Sequence, residues 1–291
     1  MAEHVGAMLR DSVAPPARAF LLEQTTLGIG AVDGDERLWA SLWLVPAGFA
    51  RSHPEGRTVH LARPCDLDTS ADPVWRWLRP GQHVGVLAID LATRRRLRIN
   101  GVVGGTSDEL VELNVCESFP NCPKYIQRRE RRAVPDEGES GRPAGPVRGV
   151  ELDAERRAFV EQADTMIVAS RHRTRGLDVS HRGGEPGFVR VVDARTLRVP
   201  DYPGNGMFQT LGNFEAEPRA GLAIVDFVRG RQLALTGSVR NMYGIDDPTH
   251  PTLGTMRYWE VEVESWIELS LNRASEWRLV DRSPHNPPAR T

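Results

Sequence analysis

The sequence predicts a mainly β protein made of two tandem barrel-like domains, and three observations support this. Short apolar strands recur at regular spacing and are joined by polar turns, which is typical of antiparallel barrels. A stretch rich in proline and glycine, residues 133–150, divides the 291-residue chain near its middle. The segments on either side of this stretch resemble each other in order and in spacing.

Two blocks of the first half match two blocks of the second half. Residues 85–103 align without gaps on residues 221–239, and each block is expected to form a β-hairpin that runs from an apolar strand ending in Asp to an alternating strand reaching Gly. Upstream, residues 40–50 align on residues 179–189 at a constant offset, sharing a Ser and a Gly-Phe pair. Because order and spacing are both kept, we interpret the halves as a tandem duplication.

Each half is expected to contain a short helix, several antiparallel strands, a small helix and the closing hairpin. In the second half the predicted elements are a helix at 155–162, strands at 165–170, 178–181, 187–192 and 196–199, a helix starting near Met207, the hairpin, and a long strand at 257–269. The domains are therefore residues 1–132 and 151–281. Residues 133–150 form the linker, and the proline-rich residues 282–291 are expected to be a disordered tail.

Composition excludes several classes of protein. The net charge of -2 gives no support for a nucleic-acid-binding or membrane-surface role, since both select for a basic excess. Charge, proline or glycine interrupts every strongly apolar run, and the first residues lack the apolar centre of a signal peptide, so we expect a cytoplasmic protein. Cys65, Cys116 and Cys122 have no spacing typical of metal ligands, and no metal site is expected.

Lys124 is the only lysine in the chain, where every other basic side chain besides histidine is arginine. A lysine kept in such a chain suggests a need for a compact, mobile ammonium that a planar guanidinium does not replace. It opens a basic segment that includes Arg128 and Arg129 and could hold an anion such as a phosphate. The alternative is a solvated basic helix without a ligand.

The two copies differ where a site is expected. The first half has Leu-Trp-Leu-Val-Pro-Ala at 42–47, whereas the second half has His-Arg-Gly-Gly-Glu-Pro at 181–186. Arginine and glycine at a strand end bring a guanidinium and backbone amides close to an anionic or aromatic ligand. The second half is thus the candidate for a working site and the first half for core or interface. A flexible surface hairpin is the alternative.

A turn in the second half offers a second anion-binding feature. The Pro-Gly-Asn turn at 203–205 runs directly into a predicted helix, whose free amides would point toward the turn. This geometry suits a phosphate, with Asn205 and either Gln209 or Thr210 as neutral donors. An ordinary turn and helix cap is the alternative. The Gly28-Ile29-Gly30 sequence is no dinucleotide fingerprint, because it lacks the third glycine and the helix that must follow.

These segments resemble the pyridoxamine 5'-phosphate oxidase-like family of FMN-binding split β-barrel proteins. The resemblance rests on residues 180–188, 200–205, 211–213 and 231–237, while residues 121–129 resemble a run found in a tandem-duplicated subgroup. The oxidase's own Arg/Lys-rich phosphate-binding strand and Ser-Arg-Lys turn are not present. The resemblance therefore implies two tandem FMN-binding split-barrel-like domains, but not pyridoxal phosphate synthesis.

The resemblance also implies FMN bound between the two barrels of an oxidoreductase that passes hydride or electrons through the flavin to an unidentified small molecule. Ser180, His181 and Arg182 are assigned to the ring edge and phosphate pocket. Asp201, Tyr202 and Asn205 are assigned to the turn over the cofactor, and Gln209 and Thr210 to the helix start. Lys124, Arg128 and Arg129 are expected to reach across from the first half, whose own site is degenerate.

Two alternatives remain open beside this expectation. One is a deazaflavin-dependent reductase, which the arginine-rich composition makes worth testing. The other is a non-enzymatic module that carries flavin or haem. The expected partners are a small-molecule substrate, NADH or NADPH or a separate reductase as electron donor, and a second copy of the chain in a homodimer.

Overall fold

A computed structural model describes residues 9–63, 71–133, 145–204, 206–246, 252–271 and 275–287. The first half contains helix α1 (Pro15–Glu23), a single-turn 3-10 helix (Trp75–Trp77), and strands β1 (Thr26–Val32), β2 (Leu38–Leu44), β3 (Ala50–Ser52), β4 (Thr58–Ala62), β5 (His83–Asp90), β6 (Arg95–Thr106), β7 (Leu110–Pro120) and β8 (Arg128–Ala133). Within the described ranges, no helix is long and apolar enough to cross a bilayer.

The second half repeats this series of elements. It contains helices α2 (Ala154–Gln162) and α3 (Gln209–Ala216), and strands β9 (Val147–Gly149), β10 (Thr165–His172), β11 (Gly176–Gly183), β12 (Arg190–Val191), β13 (Thr196–Pro200), β14 (Arg219–Asp226), β15 (Arg231–Tyr243), β16 (Arg257–Ser270) and β17 (Ser275–Asp281). The strand pairs of both sheets are antiparallel, and short turns join β1 to β2, β5 to β6 and β14 to β15.

Both halves have the same strand order. The first sheet runs β2-β1-β5-β6-β7-β4-β3 and the second β11-β10-β14-β15-β16-β13-β12, so each strand of the first sheet has its counterpart in the second, to which β9 adds an eighth strand beside β16. Each sheet surrounds its own apolar core. The predicted mainly β fold with two tandem split-barrel-like domains is thus confirmed, and the strand order agrees with the spacing of the matched sequence blocks.

Several element boundaries in the second half differ from the prediction by one to three residues, and two of the differences have a clear backbone cause. The helix begins at Gln209 and not near Met207, because Phe208 has a φ of 47° and so ends the helical conformation on its N-terminal side. The strand predicted at 187–192 is reduced to Arg190–Val191, because Gly187 has a φ of 86° and bends the chain before it.

The predicted domain boundaries also change. Part of the predicted linker is ordered, since β9 pairs with residues 266–268 of β16. Strand β17 pairs with β8, so the chain returns to the end of the first half after completing the second. Residues 282–287, predicted as part of a disordered tail, are held by hydrogen bonds such as that from the Ser283 amide to Gln127 Oε1 at 2.8 Å. Residues 134–144 and 288–291 lie outside the described residues.

The halves meet through a shared apolar cluster and through reciprocal strand contacts. Strand β5 lies against β11, and its counterpart β14 lies against β2. The matched glycines Gly85 and Gly221 allow this approach. A Cβ atom on Gly85 would lie 2.8 Å from Val179 Cγ2, and one on Gly221 would lie 2.5 Å from the Trp39 carbonyl carbon. Close backbone approach at these two points brings β6 and β11 into one site.

Replacing Gly221 by alanine should therefore separate the halves locally. The added methyl group meets backbone, which cannot rotate away, so we expect the free energy of unfolding to fall by about 1 to 3 kcal/mol. Urea denaturation measures this change. Gly105→Ala is the matched control, because a Cβ atom there meets nothing within 4 Å. Equal stability of the two variants would contradict the proposed close approach.

Candidate functional site

A cavity lies between the halves, and we call it the inter-half cavity. The first half contributes Arg96, Arg98, Asn121, Cys122, Lys124 and Tyr125; the second contributes Ser180, His181, Arg182, Gly183, Phe188, Pro200, Asp201, Tyr202, Gly204, Gly206, Met207, Phe208, Gln209, Thr210 and Arg257. Its volume is about 130 Å³, enough for several waters or one phosphate-sized anion, and it is open to solvent.

Eight of the predicted site residues line this cavity. They are Lys124, Ser180, His181, Arg182, Asp201, Tyr202, Gln209 and Thr210. Arg128 instead pairs with Asp281 on the β8–β17 ribbon, and Arg129 is buried against Asp164, so the structure does not bring these two arginines to the cavity. Asn205 lies outside the described residues. The basic segment that contains Arg128 and Arg129 is a strand and not a helix.

Arg98 lies at the centre of a buried polar network that joins the halves. Its Nη1 donates to both carboxylate oxygens of Asp178, at 2.9 and 3.1 Å, and to Gln209 Oε1 at 3.0 Å. Its Nη2 donates to Ser180 Oγ at 2.8 Å, and Ser180 lies 3.1 Å from the Thr210 hydroxyl. A residue of β6 thus fixes the end of β11 and the start of α3, which form one wall of the cavity.

Arg96 shares the cavity-facing side of β6 with Arg98, because side chains two apart on a strand point the same way. Its Nε is buried and has no hydrogen-bond partner among the described residues. Burial, with the charges of Arg98 and Arg182 nearby, lowers the pKa of Arg96 to about 9. A desolvated guanidinium beside two others is electrostatically unfavourable, and a bound anion would relieve this repulsion.

His181 is buried, and neither ring nitrogen has a hydrogen-bond partner among the described residues. Burial and the nearby charges of Arg96 and Arg182 hold its pKa well below the ordinary value of 6.5. The ring is therefore neutral at physiological pH. It lines the cavity with one nitrogen able to donate and the other able to accept a hydrogen bond.

This buried neutral imidazole predicts a specific acid sensitivity. Between the lowered pKa and 6.5 the folded state binds fewer protons than the unfolded chain. The contribution of His181 to stability is therefore complete above about pH 6.5 and is lost as the pH falls toward its folded pKa. We expect Tm to fall between about pH 7.5 and pH 5, and His181→Gln to make this fall smaller. Exposed His83→Gln is the control, and identical pH profiles for both variants would refute the prediction.

Asp201 holds two further arginines of the second half. Arg182 Nη1 lies 3.1 Å from Asp201 Oδ1, and Arg257 Nε lies 3.0 Å from Oδ2. The Arg182 Nε nevertheless has no partner among the described residues. With Lys124 from the first half, five cationic side chains line the cavity, whereas Asp201 contributes the only carboxylate among its described lining residues. The cavity has the charge of an anion-binding site.

Aromatic side chains from both halves lie beside the cationic groups. The rings of Tyr125 and Tyr202 have centroids 5.0 Å apart, and the Tyr125 hydroxyl donates to the Pro203 carbonyl oxygen at 2.9 Å. Phe208 is 54% exposed and lies under the Arg257 guanidinium. Tyr125 and Phe208 both have left-handed φ values, of 64° and 47°, which bulky residues rarely adopt. Such strain is concentrated at functional sites in proteins.

The C-terminal segment supports this wall from outside. Ser283 Oγ accepts the Tyr125 amide at 3.1 Å, while Asn286 Nδ2 donates to both Gln127 and Glu185. Gln127 in turn donates to the Gly184 carbonyl oxygen at 3.2 Å. The segment therefore ties the Lys124 turn of the first half to the end of β11 in the second.

The corresponding place on the other side of the interface is filled. There, Gln232 stands where the opposite site has Arg96, and its amide exchanges hydrogen bonds with the backbone of Leu42, at 2.8 and 3.1 Å. Ala234 replaces Arg98 and packs into the apolar core of the first half. Trp43, at the position of Arg182, donates to the buried Asp72 at 3.0 Å. Of the two equivalent places, the one lined by Arg96 and Arg182 therefore has the polar cavity.

No protein-family model and no curated protein matches the sequence. Similar solved structures include a HupZ variant from Group A Streptococcus (16% identity, 40% of this chain and 99% of that chain, TM-score 0.33). A putative pyridoxamine 5'-phosphate oxidase from Lactobacillus delbrueckii is 11% identical (40% and 94% covered, TM-score 0.33). A FAD-binding protein from Mesorhizobium loti is 14% identical (44% and 100%, TM-score 0.30). One of these structures carries the name of the family that the sequence resembles. The likeness assigns neither a ligand nor an activity to this chain.

Proposed function

We propose that this protein binds FMN in the inter-half cavity and acts as a flavin-dependent oxidoreductase on a small molecule. The observation that carries the proposal is the excess of cationic side chains in the cavity, together with buried nitrogens of Arg96, His181 and Arg182 that have no partner among the described residues. Such an arrangement is unfavourable alone and becomes favourable when a phosphate supplies acceptor oxygens.

The residues present fit a flavin mononucleotide in charge and in chemistry. A phosphate monoester is a dianion at neutral pH, and the cavity, whose lining includes Arg96, Arg182 and Lys124, has room for a phosphate-sized group. Because the cavity is open, the remainder of a larger molecule can extend toward the aromatic side chains Tyr202 and Phe208.

When bound, FMN would supply the redox chemistry by accepting and passing on a hydride or electrons. The residues of this chain then have binding and orienting roles. Arg96, Arg182 and Lys124 would hold the phosphate, and Arg98 would keep Ser180 and Gln209 in place. His181 stays neutral and can donate one hydrogen bond without adding a further charge.

The absorbance spectrum of the purified protein tests the proposal directly. We expect flavin bands between about 370 and 450 nm, or their recovery with quenched fluorescence when FMN is titrated into colourless protein. Riboflavin, which lacks the phosphate, should bind more weakly. A protein that is colourless and binds neither FMN nor a deazaflavin would refute flavin binding. Tighter binding of the deazaflavin than of FMN would identify the deazaflavin-dependent alternative.

Reduction by NADH or NADPH separates an enzyme from a carrier. An oxidoreductase should lose its flavin absorbance rapidly with one of these donors, or with a separate reductase, and regain it when an acceptor is added. Bound flavin that stays oxidised with every donor would support the non-enzymatic carrier instead.

His181 favours haem binding as a second candidate. A neutral imidazole whose nitrogens have no partner among the described residues is a suitable axial ligand for haem iron, and arginines can pair with the propionates. Titration with haemin should then produce a Soret band that His181→Gln abolishes. A Soret shift that survives this substitution would argue against His181 as the ligand.

Lys124 should contribute to FMN affinity from the first half. It lines the cavity opposite Arg182, and it takes part in none of the ion pairs found among the described residues. We expect Lys124→Ala to weaken FMN binding by about tenfold without changing Tm, as for one lost charge-assisted hydrogen bond. Lys124→Arg keeps the charge and should restore part of the affinity. Unchanged affinity in Lys124→Ala would remove this role.

A further inference from the structure

A second cavity, which we call the α1 groove, lies between helix α1 and the β5–β6 turn of the first half. It has a volume of about 610 Å³, within the range of small-molecule sites. Its floor is apolar and includes Phe20, Leu97 and Pro120, while its rim carries Arg10, Arg94 and Arg95. None of the described residues that line it is acidic.

The corresponding place in the second half differs from the α1 groove in charge and in the size of its side chains. Arg231 matches Arg95, and each guanidinium lies over the matching phenylalanine: Arg95 at 4.7 Å from the Phe20 ring, and Arg231 at 5.0 Å from Phe159. In the second half three carboxylates lie within ion-pair distance of the arginine: Asp226 is 3.8 Å from its Nε, and two glutamates flank its Nη1. Arg231 Nη1 lies 2.9 Å from both Glu155 and Glu268.

Both glutamates are replaced by proline in the first half. At the offset shared by the two halves, Pro16 stands at the position of Glu155, and the strand register places Pro120 at the position of Glu268, because Leu97 pairs with Pro120 as Leu233 pairs with Glu268. Pro16 and Pro120 both line the groove. The first copy therefore keeps the arginine and the aromatic floor but has apolar walls in place of the counter-charges.

The second half also fills its copy of the space. Trp266 pairs with Gly149 of β9 and lies under Arg156. The matching bridge in the first half joins Arg10 to Ser118, so a small side chain stands where the second half has an indole. The loss of two carboxylates and one large ring leaves a cationic apolar cavity, and three coordinated differences at one place indicate a site with its own ligand.

We infer that the α1 groove binds a small organic acid with an apolar body, whose carboxylate takes the place of the missing glutamates beside Arg95. The groove shares Arg96 and Asn121 with the inter-half cavity, so the acid would lie next to whatever that cavity holds. An apolar floor holds the body by burial of its surface, and the Arg95 guanidinium, which has no ion pair among the described residues, selects the anion. The inference does not depend on the identity of the ligand in the inter-half cavity.

Binding of 2-naphthoate, compared with neutral 2-naphthamide, tests this inference by calorimetry or by ligand-observed NMR. We expect the full-length protein to prefer the carboxylate by about tenfold. Pro16→Glu restores one second-half carboxylate and should remove most of this preference, and so should Arg95→Met. Arg231→Met, at the neutralised copy, should leave it unchanged.

Equal binding of the acid and the amide would overturn the inference, as would naphthoate affinity that neither Pro16→Glu nor Arg95→Met lowers. No detectable binding of naphthoate would do the same. Circular dichroism of each variant confirms that it is folded before binding is compared. FMN titration of Pro16→Glu reports separately on the inter-half cavity, so a failure here is distinguishable from a failure of the flavin proposal.

Discussion

Replacing Arg98 by methionine is expected to lower the free energy of unfolding by about 3 to 5 kcal/mol, because it leaves the buried Asp178 carboxylate without its charged partner. The two side chains are 7% and 3% exposed, so water cannot solvate the carboxylate in place of the guanidinium. The substitution also removes the bonds to Ser180 and Gln209. Urea denaturation at neutral pH measures the loss.

Two further variants separate the effect of burial on stability from the effect of losing any ion pair. Arg240→Met removes an arginine that is 73% exposed and bound to Glu260, so it should cost less than about 1 kcal/mol. Adding Asp178→Asn to Arg98→Met removes the stranded charge and should recover a large part of the lost stability. If Arg98→Met were no more destabilising than Arg240→Met, the buried network would not join the halves as described.

Replacing Arg96 by alanine is expected to weaken FMN binding by about 10- to 150-fold, the effect of a lost hydrogen bond to a charged group. Unlike Arg98→Met, this variant should not destabilise the protein without ligand, because it removes a desolvated cation that lies beside Arg98 and Arg182. A large loss of affinity at unchanged or increased stability is the signature of a residue whose counter-ion is the ligand.

Riboflavin and Arg128→Ala provide the controls for this result. Arg128 is bound to Asp281 on the β8–β17 ribbon and does not line the cavity, so its removal should leave FMN affinity unchanged. Riboflavin lacks the phosphate, and its affinity should respond little to Arg96→Ala. Equal losses for FMN and riboflavin would show that Arg96 acts on the ring system and not on the phosphate.

Much of the fold followed from local pattern. The hairpins at 85–103 and 221–239 were predictable because strand alternation, an Asp-containing turn and Gly all lie within a few residues. The repeated strand order followed from matching the two halves. Register within each of these two hairpins is set by its short turn.

The largest omission was the pair Arg96 and Arg98. In sequence they belong to an arginine cluster that is typical of a solvated surface, and only the packing of β6 against β11 shows that they face the other half. One available signal pointed to them: their counterparts in the aligned hairpin are Gln232 and Ala234. The same comparison of copies that selected His181 and Arg182 could have selected these arginines.

The β8–β17 pairing could not be predicted, because it joins two segments about 150 residues apart whose sequences carry no register signal. Arg128 and Arg129 were expected at the ligand for a related reason. A basic run shows no sign of which partners neutralise it, and here the partners are Asp281 and Asp164 from the second half.

The same ribbon sets the order of events during synthesis. Strand β8 leaves the ribosome about 150 residues before β17 does, which corresponds to roughly 7 to 30 s at the usual rates of translation. Throughout that interval the Lys124 turn lacks Ser283, which accepts the Tyr125 amide. The wall of the inter-half cavity is therefore completed late, and the nascent chain is expected to gain affinity for its ligand only when residues 282–287 emerge.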